Sequence, residues 1–189
     1  MVWEVNPSEK QWKWIWHGAR AVETMYAILN LEGKKILDVG CSESQLAYCL
    51  DRLGYEAYGI DMRDIKHGFS RFFIMDATNM KFKDNTFDTV TCISALEHID
   101  NYKKTANEMI RVLKPGGVLI LTVPYGKGNT ETGAKRFLSL ELVLLLKGLE
   151  TEERRYFRDT DSGHIEHDGS KEFKDSIIII KARKCANTN

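Results

Sequence analysis

Five short apolar runs limit what this chain can fold into: KKILDVG (34–40), YEAYGID (55–61), FFIMDA (72–77), FDTVTCIS (87–94) and VLILTVP (118–124). Each is too short for a core helix and is bounded by charges or glycine, so each reads as a buried strand. Helical spacing fills the gaps between them. Residues 45–53 form one candidate helix, ending near Gly54. Residues 101–113 form another, with Ala106, Met109, Ile110 and Leu113 on one stripe. KPGG separates that helix from the fifth strand. Upstream, residues 10–30 carry Trp12, Trp16, Ala19, Val22, Met25 and Leu29 at helical spacing, with Ser8 as a cap. Downstream, residues 138–147 suggest a further helix, and ETEERRYFR and DSIIIIKAR two last strands. Strands alternating with helices call for a doubly wound α/β fold, a parallel sheet with helices on both faces.

Without repeats or linkers, the 189 residues read as a single domain, 1–189, long enough to bury a core. Lys+Arg and Asp+Glu are 27 each, so the net charge is zero. That argues against general nucleic-acid binding, which needs a basic surface. No run approaches the ~20 apolar residues that span a bilayer; LSLELVLLL and IIII fit a buried helix and a core strand. The N-terminus lacks the basic-then-apolar layout of a secretory signal. Cysteines 41, 49, 92 and 185 form no CxxC pair, which fits reduced thiols in a cytoplasmic protein. No metal site is expected. RDTDSGHIEHDGS (158–170) gathers Asp159, Asp161, His164, Glu166, His167 and Asp168, but its turn residues read as a solvated loop between the last two strands.

In open parallel sheets, ligands bind beyond the carboxyl ends of the strands. Asp38, Gly40, Asp61, Asp76 and Ser94 all fall at or just after such ends. Asp61 lies 23 residues beyond Asp38, where an acid can accept both hydroxyls of a ribose. The first loop, however, reads GCSESQ and not GxGxxG. Ser42 takes the position of the glycine that lets backbone reach a pyrophosphate. A side chain there suits a nucleoside without phosphates and with a zwitterionic tail. A dehydrogenase is disfavoured for the same reason.

The chain resembles the class I S-adenosylmethionine-dependent methyltransferases, small-molecule type. The resemblance rests on ILDVGCSES, YGIDM, FIMDATNMKFKDNTFDTVTCISALEHI and RVLKPGGVLILTVP, in family order and spacing across residues 34–124. It implies a Rossmann-like, three-layer α/β/α fold with a seven-stranded sheet of order 3-2-1-4-5-7-6, strand seven antiparallel. It implies S-adenosylmethionine as donor and S-adenosylhomocysteine as product. By the same resemblance Asp38 and Gly40 shape the turn beneath the methionine part, and Cys41 and Ser42 follow in that cofactor-binding loop. Asp61 takes the ribose hydroxyls and Met62 packs on adenine. Asp76 binds the adenine amine, and the Ala77 amide a ring nitrogen. The Ser94 carbonyl meets the methionine ammonium. Gly116 and Gly117 give a tight turn into strand five. The family usually carries further glycines where this chain has Ser42 and Ser44; serine is small, so the loop is expected to survive with its backbone slightly displaced.

ALEHI places Glu97 and His98 beside the expected methyl group. His98 is the candidate catalytic residue, as acceptor of a proton from a hydroxyl or amine nucleophile; the other reading is a packing motif with His98 bonded to backbone. Trp3, Trp12, Trp14 and Trp16 either anchor the N-terminal helical cap (1–30) on the sheet or form a lid. Residues 125–189, beginning Tyr125 and Gly126, supply the acceptor side and last strands. The expected activity is methyl transfer to a small-molecule acceptor, with the acceptor atom (O, N or C) and the oligomeric state left open. Two rivals are methylation of protein or RNA, and a cofactor-binding module without turnover. SALE in place of an NPPY-type motif argues against some macromolecular routes.

Overall fold

The computed structural model describes residues 19–42, 46–65, 70–130, 133–160, 163–170 and 176–186. Residues 10–18 of the expected first helix, and all four tryptophans, lie outside them. Within them the elements run α1 (Ala19–Leu29), β1 (Lys35–Val39), α2 (Leu46–Arg52), β2 (Glu56–Asp61), β3 (Phe72–Ile74) and β4 (Phe87–Ile93). A single 3₁₀ turn follows at Leu96–His98, then α3 (Tyr102–Val112), β5 (Leu113–Pro124) and α4 (Ser139–Leu145). The chain closes with β6 (Leu149–Thr160), β7 (Gly163–His167) and β8 (Ser176–Lys184).

The strands form one eight-stranded sheet of order β3-β2-β1-β4-β5-β8-β6-β7. The first five pair in parallel, and β8 runs antiparallel between β5 and β6. The expected order is therefore present, with one strand added at the edge. The addition corrects the reading of 158–170 as a loop. Tyr156↔His167 through Thr160↔Gly163 pair antiparallel, so only residues 161 and 162 connect the two strands. The turn-forming residues drew attention to the whole segment, whereas a hairpin needs them at its tip alone.

KPGG also departs from expectation. It is not a turn ahead of β5 but an irregularity inside it: Phe87 pairs with Leu113 and Thr89 already with Val118. Both glycines are structural. Gly116 has φ 76°, and a Cβ on Gly117 would sit 2.8 Å from the Asp88 carbonyl oxygen. Asp88 fastens this corner. Its carboxylate accepts from the Lys34 and Lys35 amides at 3.0 and 2.9 Å and from Lys114 Nζ at 2.6 Å.

Two apolar clusters cover the two faces of the sheet, giving the three layers. On one face α1 and α2 bring Ala27, Leu46, Ala47 and Leu50 onto Ile36, Ala57, Ile93 and Ile120. On the other α3 and α4 bring Ala106, Met109, Val112 and Leu142 onto Leu37, Val90, Leu119 and Leu121. Two-sided burial explains why the central strands are apolar runs instead of alternating ones. β1 sits between β2 and β4, so successive connections leave it in opposite directions. This is the switch point, where the ends of β1, β2 and β4 open a crevice.

Candidate cofactor site

A cavity of about 480 Å³ opens at that edge, lined by Gly40, Ser42, Asp61, Met62, Ala77, Ser94 and His98 among others. Its volume suits a nucleoside-sized ligand. Seven of the ten sequence-predicted residues thus meet in one cleft. The other three, Asp38, Cys41 and Asp76, stand behind it or at its rim.

Gly40 closes β1 with φ 67°, and a Cβ there would lie 2.6 Å from Ala95 Cβ. The glycine is needed by the close approach of the β4 end, as well as by its dihedral. Cys41 then turns away from the cleft. Its amide donates to the Ile60 carbonyl at 3.0 Å, and its thiol packs against Gly59. Burial, with Asp38 and Asp61 nearby, pushes that thiol well above its ordinary range, so it is an inert packing group. Asp38 lies beneath the loop, 2% exposed, and accepts from Thr91 Oγ1 at 2.8 Å. It braces β1 against β4 and does not line the cleft.

Ser42 reverses the chain again, at φ 44°. Its amide donates to Asp61 Oδ2 at 2.9 Å. Asp61 Oδ1 accepts from the Arg63 amide at 2.9 Å and from Arg63 Nε at 3.2 Å. The Arg63 guanidinium also reaches Ser42 Oγ. One carboxylate therefore organises the loop after β1 and the turn after β2. The Arg63 side chain is 62% exposed, so this ion pair is weak and can yield to a ligand.

Met62 is exposed over the cleft, and Ala77 is buried in its wall. Asp76, between the lining residues Met75 and Ala77, is exposed at the rim. The Thr78 amide and hydroxyl donate to it at 2.7 and 2.9 Å and hold its carboxyl below the usual range. Ser94 ends β4 with φ 44° and takes its amide to Thr122 Oγ1 at 2.9 Å. Among the described residues, the non-glycine positions with positive φ are Ser42, Asn85 and Ser94; two of them face this cavity. Strained backbone of that kind collects where a ligand fixes the geometry.

His98 borders this cavity and a second one of about 340 Å³, lined also by Glu97, Asp100, Tyr102, Asn129 and Lys135. The expected helix from Ser94 is a 3₁₀ turn beginning at Leu96, yet Ser94 and His98 still face one cleft. Among the described residues no group of three metal-ligating side chains comes together.

Reading the sequence for apolar stripes and strand-end acids missed two arginines and one acid. Arg20, on α1, lines the cleft, and so does Arg63. Glu23, also on α1, is 1% exposed and accepts from Ser94 Oγ at 2.7 Å. Glu23 lies off the apolar stripe expected for that helix, whose Met25 and Leu29 are exposed in the structure, so the stripe carried no signal for it. Arg63, two residues past Asp61, offered none.

The comparisons with known proteins agree with this geometry. The family model described as "Methyltransferase domain" matches residues 37–121, the stretch that builds the cleft. The ubiquinone biosynthesis O-methyltransferase of Stutzerimonas stutzeri is 25% identical over 162 residues, which cover 79% of this chain and 69% of that protein. The enzyme of the same name from Azoarcus sp. is 32% identical over 105 residues, and there the chain spans 45% of the relative's length. A solved structure from Thermotoga maritima, described as a SAM-dependent methyltransferase and possible histamine N-methyltransferase, superposes with a TM-score of 0.69 at 19% identity, covering 93% of this chain and 94% of that one. Strand order, cleft, family model and relatives together make the chain similar to the class I S-adenosylmethionine-dependent methyltransferases, with the methyltransferase-domain match running over residues 37–121.

Proposed function

We propose that this single domain moves a methyl group from S-adenosylmethionine to a small-molecule acceptor. The observation that carries the reading is the convergence of Gly40, Ser42, Asp61, Ala77 and Ser94, from four strand ends, on one cavity of nucleoside size. The bound donor supplies a methyl group on a sulfonium, already electrophilic without acid catalysis. What the chain does is hold, orient and dry. Asp61 keeps acceptor capacity for the ribose hydroxyls while it fixes the loop through Ser42. Met62 and Ala77 enclose the adenine, with Asp76 at the rim for its amine. The Ser94 carbonyl receives the ammonium, and Arg20 the carboxylate, of the amino-acid end. Alignment in such a site provides most of the acceleration.

The acceptor enters the second cavity, which shares His98 and Ile99 with the first. His98 stands where it can take the proton that a hydroxyl or amine nucleophile sheds. We place the protein in the cytoplasm. No described helix is long and apolar enough to cross a membrane, and no general nucleic-acid binding is expected from a chain of zero net charge. The test is calorimetry with S-adenosylhomocysteine and with NAD, followed by an acceptor screen for methyl transfer. Saturable binding of S-adenosylhomocysteine and none of NAD is the expected result. Tight NAD binding overturns the reading. Donor binding with no turnover of any acceptor points to the module without catalysis.

A further inference from the structure

Asp61 is asked to accept more hydrogen bonds than its lone pairs allow. Its two carboxylate oxygens offer about four acceptor sites. Three are taken. Oδ2 accepts from the Ser42 amide at 2.9 Å, and Oδ1 accepts from the Arg63 amide at 2.9 Å and from Arg63 Nε at 3.2 Å. One site remains, on Oδ2, whereas a ribose held by both hydroxyls needs two. One of the three donors has to leave when such a ribose arrives.

The three are not equally free to go. The Ser42 amide belongs to a turn with φ 44°, behind a Cys41 amide tied to the Ile60 carbonyl. The Arg63 amide lies just past β2, and the Arg63 carbonyl accepts from the Ile65 amide at 3.0 Å. Moving either one disturbs backbone. The Arg63 side chain is under no such constraint. Its bond to Oδ1 is the longest of the three, and it is 62% exposed against 10% for the Asp61 side chain. It can swing into solvent and leave the main chain where it is. The same guanidinium donates to Ser42 Oγ, so it spans two residues that line the cavity, and it lines the cavity itself.

We propose that Arg63 is a latch on the ribose subsite: its guanidinium bridges Asp61 and Ser42 until a nucleoside presenting both ribose hydroxyls expels it from Asp61 Oδ1. Only hydrogen bonds are exchanged. Nε leaves Oδ1 and is hydrated, a hydroxyl takes its place on the same oxygen, and no proton or covalent bond changes hands. The exchange favours the ligand, because an exposed ion pair is weak and a hydroxyl donating to a carboxylate makes a strong, charge-assisted bond. Arg63 is thus a positioning residue. It acts through Asp61, holds the loop after β1 in shape, and lowers affinity only for ligands that claim Oδ1. The proposal rests on the cofactor-site reading above.

The experiment is calorimetry of the full chain and of Arg63→Met, which keeps an apolar stem and removes the donors, with S-adenosylhomocysteine at about 0.1 M salt. Two control ligands are used. 5′-Methylthioadenosine carries the nucleoside and sulfur without the amino acid, and the 2′,3′-dideoxy analogue of S-adenosylhomocysteine has no ribose hydroxyl. Arg63→Met is expected to bind S-adenosylhomocysteine and methylthioadenosine about two- to five-fold tighter than the wild type, the yield of removing one exposed ion pair beforehand. The dideoxy analogue should bind both proteins equally, since it makes no claim on Oδ1. At about 1 M salt, where the Debye length is ~3 Å, the wild-type latch loosens and the gap should narrow. Weaker or unchanged binding of S-adenosylhomocysteine by Arg63→Met overturns the latch and leaves the cofactor site standing. So does an equal gain for the dideoxy analogue, which means that the guanidinium obstructs by bulk, and so does a gap that salt leaves unchanged. A gain confined to S-adenosylhomocysteine places the guanidinium at the amino-acid end and overturns the latch as well. Failure of wild type and variant to bind any of the three ligands overturns the cofactor site and this proposal with it.

Discussion

The backbone N–H of Ser42 donates to Asp61 Oδ2 at 2.9 Å, so the loop after β1 is shaped by the acid that ends β2. The missing second glycine of this loop is compensated here. A serine in the left-handed region is held by a charge-assisted bond from its own amide. Asp61 thus organises the loop, and in the proposed function it receives the ribose as well.

Asp61→Ala is expected to weaken S-adenosylhomocysteine binding by roughly 1.5–3 kcal/mol, the range for hydrogen bonds to a charged group. Because the Ser42 tie is lost as well, 5′-methylthioadenosine should weaken in parallel. Calorimetry on both ligands checks this. Unchanged affinity removes Asp61 from the site.

Gly40→Val is expected to abolish cofactor binding and lower the melting temperature. The new side chain starts 2.6 Å from Ala95 Cβ and must adopt φ 67°, which β-branched residues resist. Gly40→Ala meets the same Ala95 contact with less bulk. Adding Ala95→Gly should recover part of the loss in Gly40→Ala, leaving the dihedral penalty. No recovery in the double variant means that the ligand, and not Ala95, is what excludes the side chain.

Protein stability should decline as pH rises from about 4.5 towards 8, because burial raises Glu97 from its ordinary 4.5 to about 8. Folded and unfolded chains are both protonated at Glu97 below that window. Within it only the folded chain retains the proton, so raising pH pulls the equilibrium toward unfolding. Each pH unit is worth at most about 1.4 kcal/mol. Glu97→Gln is expected to flatten this slope and raise the melting temperature at neutral pH, by about 2–4 °C for each kcal/mol gained. Melting curves across the window decide it; a variant with the wild-type slope shows that Glu97 ionises freely in the folded chain.

Lys184→Met tests a purely structural group. Its ammonium is buried and donates to Asn85 Oδ1, the Ile110 carbonyl and the Leu113 carbonyl at 2.9, 2.8 and 2.7 Å. It thereby satisfies carbonyls at the end of α3, where helical partners run out. Methionine keeps the volume and removes the donors. A loss of about 1–3 kcal/mol of stability in denaturant melts is expected, with cofactor affinity unchanged.

Much of this was legible from residues alone. The strand order follows from apolar runs and their helical spacers, since two-sided burial leaves an unmistakable signature in Ile36–Val39 and Val118–Val123. Asp61 and Gly40 were visible because their positions at strand ends are set by topology. The β6–β7 hairpin was not, because polar edge strands such as Gly163–His167 carry neither an apolar run nor a clean alternation. The inward turn of Cys41 was also hidden. It depends on Gly59 opposite, a residue of another strand whose missing side chain makes the room. Glu23 illustrates the same limit: only its bond to Ser94, 71 residues on, shows that it serves the cleft.

His98 is expected to matter to turnover more than to donor affinity. It stands on the wall common to the 480 Å³ and 340 Å³ cavities, exposed, on a 3₁₀ turn that Ala95 and Leu96 carbonyls hold through the His98 and Ile99 amides at 3.1 and 3.2 Å. Those bonds are made by backbone, so replacing the imidazole leaves the turn intact. If His98 accepts the nucleophile's proton, His98→Ala lowers kcat by roughly 10²–10⁴-fold, the usual yield of a positioned base. The acidic limb of the pH–rate profile should disappear with it, while S-adenosylhomocysteine binds as before. A structural role gives the opposite pattern: a lower melting temperature, a normal rate in the folded fraction and an unaltered profile. A third result, rate and stability both unchanged, assigns catalysis to alignment alone. Binding and melting can be measured at once, and the rate as soon as the acceptor screen yields a substrate.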